Sequence, residues 1–331
     1  MNANELLEQY EAGNIDFRNE NFSGANLSGT DLIGADLSGS DLNHANLVLA
    51  YLNRAVLTHT NLIGTRLCGA NLSQANLCAA NLQDADLHGA ILHGADLRGA
   101  NITLANLLDA NLLGADLRNV NLAGACLRGA CLRGANLRFE RRCYDGANLR
   151  GADLQNADLR GANLNGANLT KANLRGAHLS EASLREANLT GACLSGADLR
   201  GVFLTESNLT GTDLSQSNLV NARLERANLT EAVLTNANLN GAMLAAATMA
   251  KIQALGVTMR WTRLNRADLS RANLQGADLT DASLIDTYLG RADLREATLT
   301  NANLANAELS SANLKGAILH GATMPDGSIH E

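Results

Sequence analysis

The sequence is poor in aromatic residues and in proline. Of its 331 residues, 3% are aromatic and one is Pro, whereas 46% are hydrophobic. Because a set of large apolar side chains normally includes many rings, the core is expected to consist almost wholly of Leu and Ala. No apolar run approaches the roughly 18 to 20 residues that a transmembrane helix requires. Residues 1–10 also lack a basic stretch followed by an apolar one, so neither membrane insertion nor export by a signal peptide is expected.

Paired cysteines and cofactor motifs are also missing. The six Cys residues show no paired spacing, which favours a reducing compartment and predicts a cytoplasmic protein. Neither the phosphate-binding loop pattern nor the dinucleotide-binding glycine pattern occurs, so no cofactor is expected. Cys68 and His88 are 20 residues apart and are expected to stack on one side of the protein. Two ligands do not make a zinc site, so no metal centre is predicted.

The sequence instead contains a repeat with a period of five. Every fifth residue from Phe17 to Leu137 is Leu, Ile or Phe, and a second series, mostly Leu, runs from Leu149 to Met324. In most units a small residue, usually Ala, stands two positions earlier, and Asn or Asp lies between the two. A period of five matches neither an amphipathic helix, with a period of 3.6, nor a strand, with a period of 2.

Such a period predicts a chain that turns a corner every five residues, with the small residue and the Leu facing inward. Four sides return the chain to its start after 20 residues, so residues 20 apart would stack at the strand spacing of about 4.8 Å. Gly is frequent two residues after the Leu, as at Gly24 and Gly99, where a corner favours a positive φ. The square interior is too narrow for Trp or Tyr, which explains why aromatic residues are scarce.

The recurring units ANLSG, ADLRG and ANLTG resemble the pentapeptide repeat family, whose pattern is A(D/N)LXX. The resemblance covers residues 15–324 and implies one all-β solenoid, a right-handed quadrilateral parallel β-helix with four pentapeptides per coil. There are 25 regular sides before the Tyr144 region and 36 after it, and one irregular side at Tyr144 makes 62. This count predicts about 15 coils and a rod roughly 70 Å long.

Both ends of such a solenoid need covering, because an open coil offers unpaired backbone groups to other chains. Residues 1–14 are predicted to form an N-terminal cap, with a short amphipathic helix over residues 4–10. The helix would place three apolar side chains on one face, Leu6, Leu7 and Tyr10. Residues 325–331 start with a Pro-Asp-Gly turn and form a C-terminal tail. This thinly covered end is a candidate dimer contact, so we expect a monomer or a C-terminal end-to-end homodimer.

The repeat is interrupted first over residues 138–148. The step from Leu137 to Leu149 exceeds two whole pentapeptides by two, so two extra residues are expected here. Such an insertion is either a partner-binding protrusion or a tolerated surface loop, since loops serve both purposes. The candidate interaction residues are Arg138, Phe139, Glu140, Arg141, Arg142 and Tyr144.

Residues 245–262 depart from the repeat but keep its length. One interpretation is a distorted coil with three unusual residues inside, Met249, Ala254 and Met259. The other is a helical excursion, which is favoured by a run of helix formers that ends at Gly256. A helix here would also display Trp261, a further candidate interaction residue.

Charge is unevenly distributed. The total is −7, but residues 1–97 hold 11 acids and 3 bases, residues 98–200 hold 9 and 13, and residues 201–331 hold 13 and 10. The stacking of successive coils predicts an arginine column beside an aspartate column in the middle third. Its members are Arg98, Arg118, Arg138 and Arg160, beside Asp96, Asp116 and Asp158. Exposed ion pairs of this kind leave few uncompensated bases, so direct nucleic acid binding is not expected.

These features favour a non-enzymatic scaffold or protein-interaction rod with an unknown protein partner. A convex rod with a filled interior offers no cleft with convergent polar groups, so no catalytic residue is expected. The family resemblance implies an alternative, because some members are similar to a DNA duplex in shape and negative charge and modulate DNA gyrase and other type II topoisomerases. A DNA mimic needs carboxylates along the whole rod, whereas the middle third here is positive.

Overall fold

The computed structural model describes residues 1–139 and 146–331. These residues form two compact units, Met1–Leu169 and Thr170–Glu331, each built from stacked five-residue sides. A single continuous β-helix over residues 15–324 therefore stays a prediction. Among the described residues, no helix has the length and apolar character needed to cross a membrane.

The first unit begins with helix α1, Ala3–Glu11, which confirms the predicted short helix. Its N-terminus is closed by a capping box: Glu5 N donates to Asn2 Oδ1 at 2.9 Å, and Asn2 N donates to Glu5 Oε2 at 3.0 Å. Near the other end, the Tyr10 hydroxyl donates to the carbonyl oxygen of Ile33 at 2.9 Å. This hydrogen bond attaches the helix to the first coils.

Parallel bridges join equivalent residues of successive coils in the first unit, starting with Asp16 and Asp36. Each strand is a single bridging residue that is paired on both sides. Leu97 N donates to Asp116 O at 2.8 Å, and Asp116 N donates to Ala95 O at 2.9 Å. Four five-residue sides therefore complete one coil, as the period predicts.

A tight turn closes each side. Ala100 N donates to Leu97 O at 3.0 Å, and Gly99, which lies between them, has a φ of 66°. A type II turn requires this left-handed backbone, which Gly adopts at no steric cost. Leu104 takes up the same position with a φ of 59°. The coil geometry thus imposes the turn even where Gly is absent.

The core consists of the Leu and the small residue of each side, as predicted. Leu97 and Ala100 are each at most 1% exposed. Where Ser or Thr takes the small position, its hydroxyl finds a backbone acceptor, as where Thr65 Oγ1 donates to Leu42 O at 2.9 Å. The buried hydroxyl is thus satisfied inside an otherwise apolar core.

The insertion before Leu149 is longer than the sequence analysis predicted. Asn121 pairs with Asn148 and Asn136 pairs with Asn163, so the offset between bridged residues changes from 20 to 27. The step from Leu137 to Leu149 fits two arrangements. It holds either two five-residue sides and two extra residues, or one five-residue side and seven extra residues. Pairing between neighbouring coils selects the second division, so the prediction of two extra residues was wrong. Tyr144, where an irregular side was predicted, lies outside the described residues.

The second unit is also made of parallel bridges between successive coils, and residues 245–262 form a regular part of it. The three unusual residues of this segment point into the core and are 0% exposed, namely Met249, Ala254 and Met259. The predicted helical excursion was therefore wrong. The segment can stay within the β-helix because Ile252 fills the position of the small residue and Ala254 fills the position of the Leu. The large and the small side chain have exchanged positions, so the total side-chain volume that this five-residue side places in the core is nearly unchanged.

The last coil of the second unit is partly covered by the C-terminal tail. Ile329 pairs antiparallel with Thr323, and His330 N donates to Ala322 O at 2.9 Å. The apolar residues of this coil are only half-buried, namely Leu309, Leu314, Leu319 and Met324. This end of the second unit therefore presents partly exposed apolar side chains.

Candidate interaction surface

An aspartate and an arginine two residues apart form a recurring ion pair on the outer surface. Leu97 points inward, so the flanking Asp96 and Arg98 share the outer face of their side. Arg98 Nη2 lies 2.6 Å from Asp96 Oδ2, and Arg98 Nε lies 2.8 Å from Asp96 Oδ1. This bidentate geometry pairs the two charges within a single pentapeptide.

Two further predicted arginines make the same contact. Arg118 Nη2 lies 2.5 Å from Asp116 Oδ2, and Arg160 Nη2 lies 2.6 Å from Asp158 Oδ2. Arg98 Nε also lies 3.9 Å from Asp116 Oδ2, one coil away. These contacts place Arg98 and Arg118 in one column of ion pairs, as the period of the coil predicts.

Arg160 does not continue that column. Because the register changes at the insertion, Arg138 stacks on Asn165, and Phe139 N donates to Asn165 O at 2.8 Å. Arg160 instead stacks on Arg133, where Gly134 N donates to Arg160 O at 3.1 Å. The predicted place of Arg160 was therefore wrong by one side of the coil, for the same reason as the length of the insertion.

Ion pairing holds the pKa of the aspartates down. The pKa of Asp96 lies below its ordinary value chiefly because its carboxylate accepts hydrogen bonds from the Arg98 side chain. Arg160 lowers the pKa of Asp158 in the same way, and the pKa of the Arg98 guanidinium is raised in turn. Both members of each pair therefore stay charged at neutral pH, and their charges cancel locally.

Four other arginines of the first unit hold the same place after a core Leu but lack the aspartate two residues earlier. These four, which we name the arginine belt, are Arg128, Arg133, Arg138 and Arg150, and they follow Cys126, Cys131, Asn136 and Asn148. All four are exposed, and none forms an ion pair within residues 1–139 and 146–331. The Asn148 amide still accepts the Arg150 N–H at 3.2 Å but carries no charge. The belt therefore lacks the carboxylate within the same pentapeptide that the paired arginines have, although Asp158 of the next coil interacts electrostatically with Arg133.

The arginine belt surrounds the first unit. The residue two positions before each belt arginine bridges to a different residue of the preceding coil. These four bridging partners are Asn106, Asn111, Asp116 and Asn121. Each belt residue thus stands on a different side of the β-helix, and the four charges point outward around its circumference. Arg138 directly precedes the insertion and Arg150 closely follows it.

Phe139 is the described aromatic residue at the start of the insertion. Its side chain is 39% exposed and lies over Gly166, where an added Cβ would come within 2.8 Å of Phe139 Cβ. The absence of a side chain at Gly166 therefore makes room for Phe139. The other predicted loop residues lie outside the described residues, namely Glu140, Arg141, Arg142 and Tyr144.

Trp261 belongs to the second unit and is 56% exposed. The guanidinium carbon of Arg260 lies 5.0 Å from its ring centroid, which is a cation–π contact. Sequence analysis missed a related feature of the same unit, in which Phe203 lies between Arg185 and Arg223 at 5.2 and 5.1 Å. The signal was available, because Arg223 follows Phe203 by four pentapeptides, which make one coil.

No cluster of three or more His, Cys, Asp or Glu side chains suited to a metal ion occurs in the described part of the chain. Cys68 Sγ donates to Asp86 Oδ2 at 2.9 Å. Burial and this carboxylate raise the pKa of the Cys68 thiol to about 11, so it stays protonated at neutral pH. Cys126 and Cys131, on successive sides, are free thiols.

The sequence matches the family profile described as pentapeptide repeats (8 copies), in segments that begin at residue 13 and end at residue 324. The chain is a member of the pentapeptide repeat family. The resemblance drawn from its A(D/N)LXX units is thereby confirmed. Besides residue 206, the profile leaves residues 139–144 and 245–255 unmatched between its segments, and these two stretches fall within the two breaks of the repeat.

Several solved structures are similar to this pentapeptide repeat protein. HetL, involved in heterocyst differentiation regulation in the cyanobacterium Nostoc sp. strain PCC 7120, is 30% identical over 100% of both chains, with a TM-score of 0.28. Another pentapeptide repeat protein of Nostoc PCC 7120 is 39% identical over 30% of this chain and 80% of that one, with a TM-score of 0.29. QnrB1, a plasmid-mediated fluoroquinolone resistance protein, is 17% identical over 70% of this chain and 89% of its own, with a TM-score of 0.31. A comparison with curated proteins found no match.

Proposed function

We propose that this pentapeptide repeat protein is a non-enzymatic, cytoplasmic scaffold that binds an acidic surface of a partner protein through its arginine belt. The observation that carries the proposal is the contrast between paired and unpaired arginines. Arg98, Arg118 and Arg160 each have an aspartate two residues earlier, whereas the four belt residues have none. The belt lies in the middle third of the sequence, where bases exceed acids by 13 to 9.

Guanidinium groups without a neighbouring aspartate suit protein recognition because they pair with carboxylates in a bidentate manner and speed the encounter with an acidic surface. A site for single-stranded nucleic acid would add aromatic side chains on which bases stack. Phe139 is the one aromatic residue described between residues 98 and 169. The composition of the belt therefore favours an acidic protein surface.

We also infer the finer architecture of the β-helix. A right-handed hand and about 15 coils follow from the family resemblance and from the number of pentapeptides. The half-buried apolar residues of the last coil support a C-terminal end-to-end homodimer as the alternative to a monomer. Light scattering at high protein concentration tests the dimer, and a monomeric mass would exclude it.

Affinity capture from the source cell tests the proposed function. The bait is the full chain, compared with a belt variant in which Arg128, Arg133, Arg138 and Arg150 are changed to Gln. A matched control changes three paired arginines, Arg98, Arg200 and Arg295. We expect a partner that is captured by the native chain and by the control but lost with the belt variant. Equal capture by all three baits would refute the belt as the binding surface.

A second variant separates the insertion from the belt. Deleting residues 140–145 leaves all four belt residues in place. If the partner is still captured, the belt alone carries the interaction, whereas loss of the partner assigns a share to the insertion. A supercoiling assay with DNA gyrase tests the alternative of a DNA mimic, and inhibition or protection of the enzyme by the native chain would favour that alternative.

A further inference from the structure

Gly290 stands at an unusual place in the second unit. The other glycines of this unit have φ values between 62° and 85°, so the backbone requires Gly at those turns. Gly290 lies one residue before such a turn, and Arg291 takes the left-handed position with a φ of 60°. The backbone therefore imposes no Gly at 290, and the property that distinguishes this residue is its missing side chain.

Gly290 lies in the lining of a surface groove of about 320 Å³. This volume lies at the lower end of the range typical of small-molecule sites. Around Gly290 the groove is lined by six residues, Ser270, Arg271, Arg291, Glu308, Ser310 and Ser311. The lining is polar and carries two positive charges and one negative charge.

Arg271 and Arg291 lie side by side in this groove. Arg271 N donates to Gly290 O at 2.9 Å, and Arg291 N donates to Ser310 O at 2.8 Å, so the two arginines hold equivalent positions in neighbouring coils. Neighbouring coils are about 4.8 Å apart. Neither arginine forms an ion pair within residues 1–139 and 146–331. Two like charges this close repel each other unless an anion lies between them.

Several other arginines of the second unit form ion pairs. Arg295 Nη2 lies 2.6 Å from Asp293 Oδ2, and Arg266 Nε lies 3.7 Å from Asp286 Oδ2. Arg271 and Arg291 differ from them in lacking an ion pair among the described residues while holding equivalent positions one coil apart. This difference coincides with the one glycine of the unit whose place the backbone does not explain.

Glu308 forms one edge of the groove. Its Oε1 accepts a hydrogen bond from Ser310 N at 2.9 Å. Its Oε2 would lie 2.7 Å from a Cβ added at Gly290, so the carboxylate reaches over the gap. Hydrogen bonds from Ser310 lower the pKa of Glu308, which keeps the carboxylate charged at neutral pH. The groove as a whole therefore carries a net charge of about one positive unit.

We propose that this groove binds an oxyanion, the phosphate or carboxylate group of a small ligand, between the guanidinium groups of Arg271 and Arg291. A guanidinium group carries a planar set of N–H donors that matches the oxygens of either group, and neighbouring coils supply two of them here. The Glu308 carboxylate repels a second negative charge, which limits the ligand to one oxyanion group at this place. Gly290 makes room for the Glu308 carboxylate at the edge of the groove, and the ligand would lie beside it.

Isothermal titration of the full chain with inorganic phosphate, and separately with acetate, tests this site. We expect saturable binding of at least one probe, and the tighter probe identifies the ligand group. Arg271→Gln and Arg291→Gln should each weaken binding by about tenfold, because each removes one charge-assisted contact. Glu308→Gln should strengthen binding, since it removes a repelling charge.

Gly290→Leu should abolish binding, because the added side chain takes the place of the Glu308 carboxylate and displaces it into the groove. The first unit carries Leu108 and Leu113 at the corresponding position after the core Leu, so the fold accommodates this side chain. Arg295→Gln is the matched control and should leave the affinity unchanged, because Arg295 lies outside the groove. Non-saturable titration of the native chain with both probes, or equal affinities for the native chain and the Arg271 and Arg291 variants, would overturn the proposal.

Discussion

Arg118 and Arg138 hold equivalent positions one coil apart, but only Arg118 has a carboxylate two residues before it. Arg118 Nη2 lies 2.5 Å from Asp116 Oδ2, whereas the residue bridged to Asp116 in the next coil is Asn136. The Asn136 amide can accept the Arg138 backbone N–H but cannot neutralise its guanidinium. The replacement of one carboxylate oxygen by an amide nitrogen thus decides whether the arginine has a neutralising group in its own pentapeptide.

This relationship predicts the effect of Asn136→Asp. The new carboxylate should form a bidentate pair with Arg138, as Asp116 does with Arg118. The free energy of unfolding should change by only a few tenths of a kcal/mol, since exposed ion pairs contribute little. A crystal structure of the variant would show the pair, and urea denaturation would measure the stability. An Arg138 side chain that stays unpaired would contradict the rule.

Asp16 should titrate unusually low. Hydrogen bonds from the Arg18 side chain and its backbone lower the pKa of Asp16 to about 2. A depressed carboxyl pKa contributes stability above the ordinary value near 4 that is lost as the pH falls through about 2. Carboxyl chemical shifts followed by NMR would give this pKa. Arg18→Gln should return it toward the ordinary value, and an unchanged pKa in that variant would refute the assigned cause.

The turn conformation predicts the cost of Gly99→Ala. A Cβ added at Gly99 would meet no atom within 4 Å, so the penalty comes from the φ of 66° alone. We expect a loss of about 1 kcal/mol in the free energy of unfolding. Gly99→Asn should cost less, because Asn tolerates left-handed backbone. Equal losses for both variants, measured by urea denaturation, would point to a cause other than φ.

The exchange of sizes at residues 252 and 254 predicts strong coupling. Ile252→Ala alone should leave a cavity that costs about 2 to 4 kcal/mol. Ala254→Leu alone should overpack the side and cost about 1 to 3 kcal/mol. The double variant restores the common small residue and Leu of the repeat, so its stability should be close to that of the native chain. Additive losses in this double-mutant cycle would contradict the exchange.

Much of the fold could be predicted from the sequence, because the five-residue period specifies which side chains point inward and where the chain turns. Leu97, Ala100 and Gly99 behave as their places in the repeat require. The division of the gap between Leu137 and Leu149 could not be predicted, since two arrangements fit the same spacing. The pairing between neighbouring coils, as of Asn121 with Asn148 and Asn136 with Asn163, decides between them.

The candidate surface was partly predictable. The Asp96 and Arg98 pair follows from alternation about an inward Leu, and the same reasoning could have identified the arginines that lack an aspartate. The Gly290 groove could not be predicted in this way. Gly290 lies one residue before the turn position that requires a positive φ, and this offset is visible only in the structure. The exchange of sizes at residues 252–254 was also missed, because a run of helix formers that ends at Gly256 favoured a helix there.

The most direct test of the account uses the variant with Cys126, Cys131, Asn136 and Asn148 all changed to Asp. This variant keeps every belt arginine and neutralises each with its own carboxylate. Binding of the captured partner to the native chain and to this variant should be compared at several salt concentrations. We predict that the native chain binds with an affinity that falls as salt rises, and that the variant does not bind. Equal affinity and equal salt dependence for both chains would contradict the role of the arginine belt.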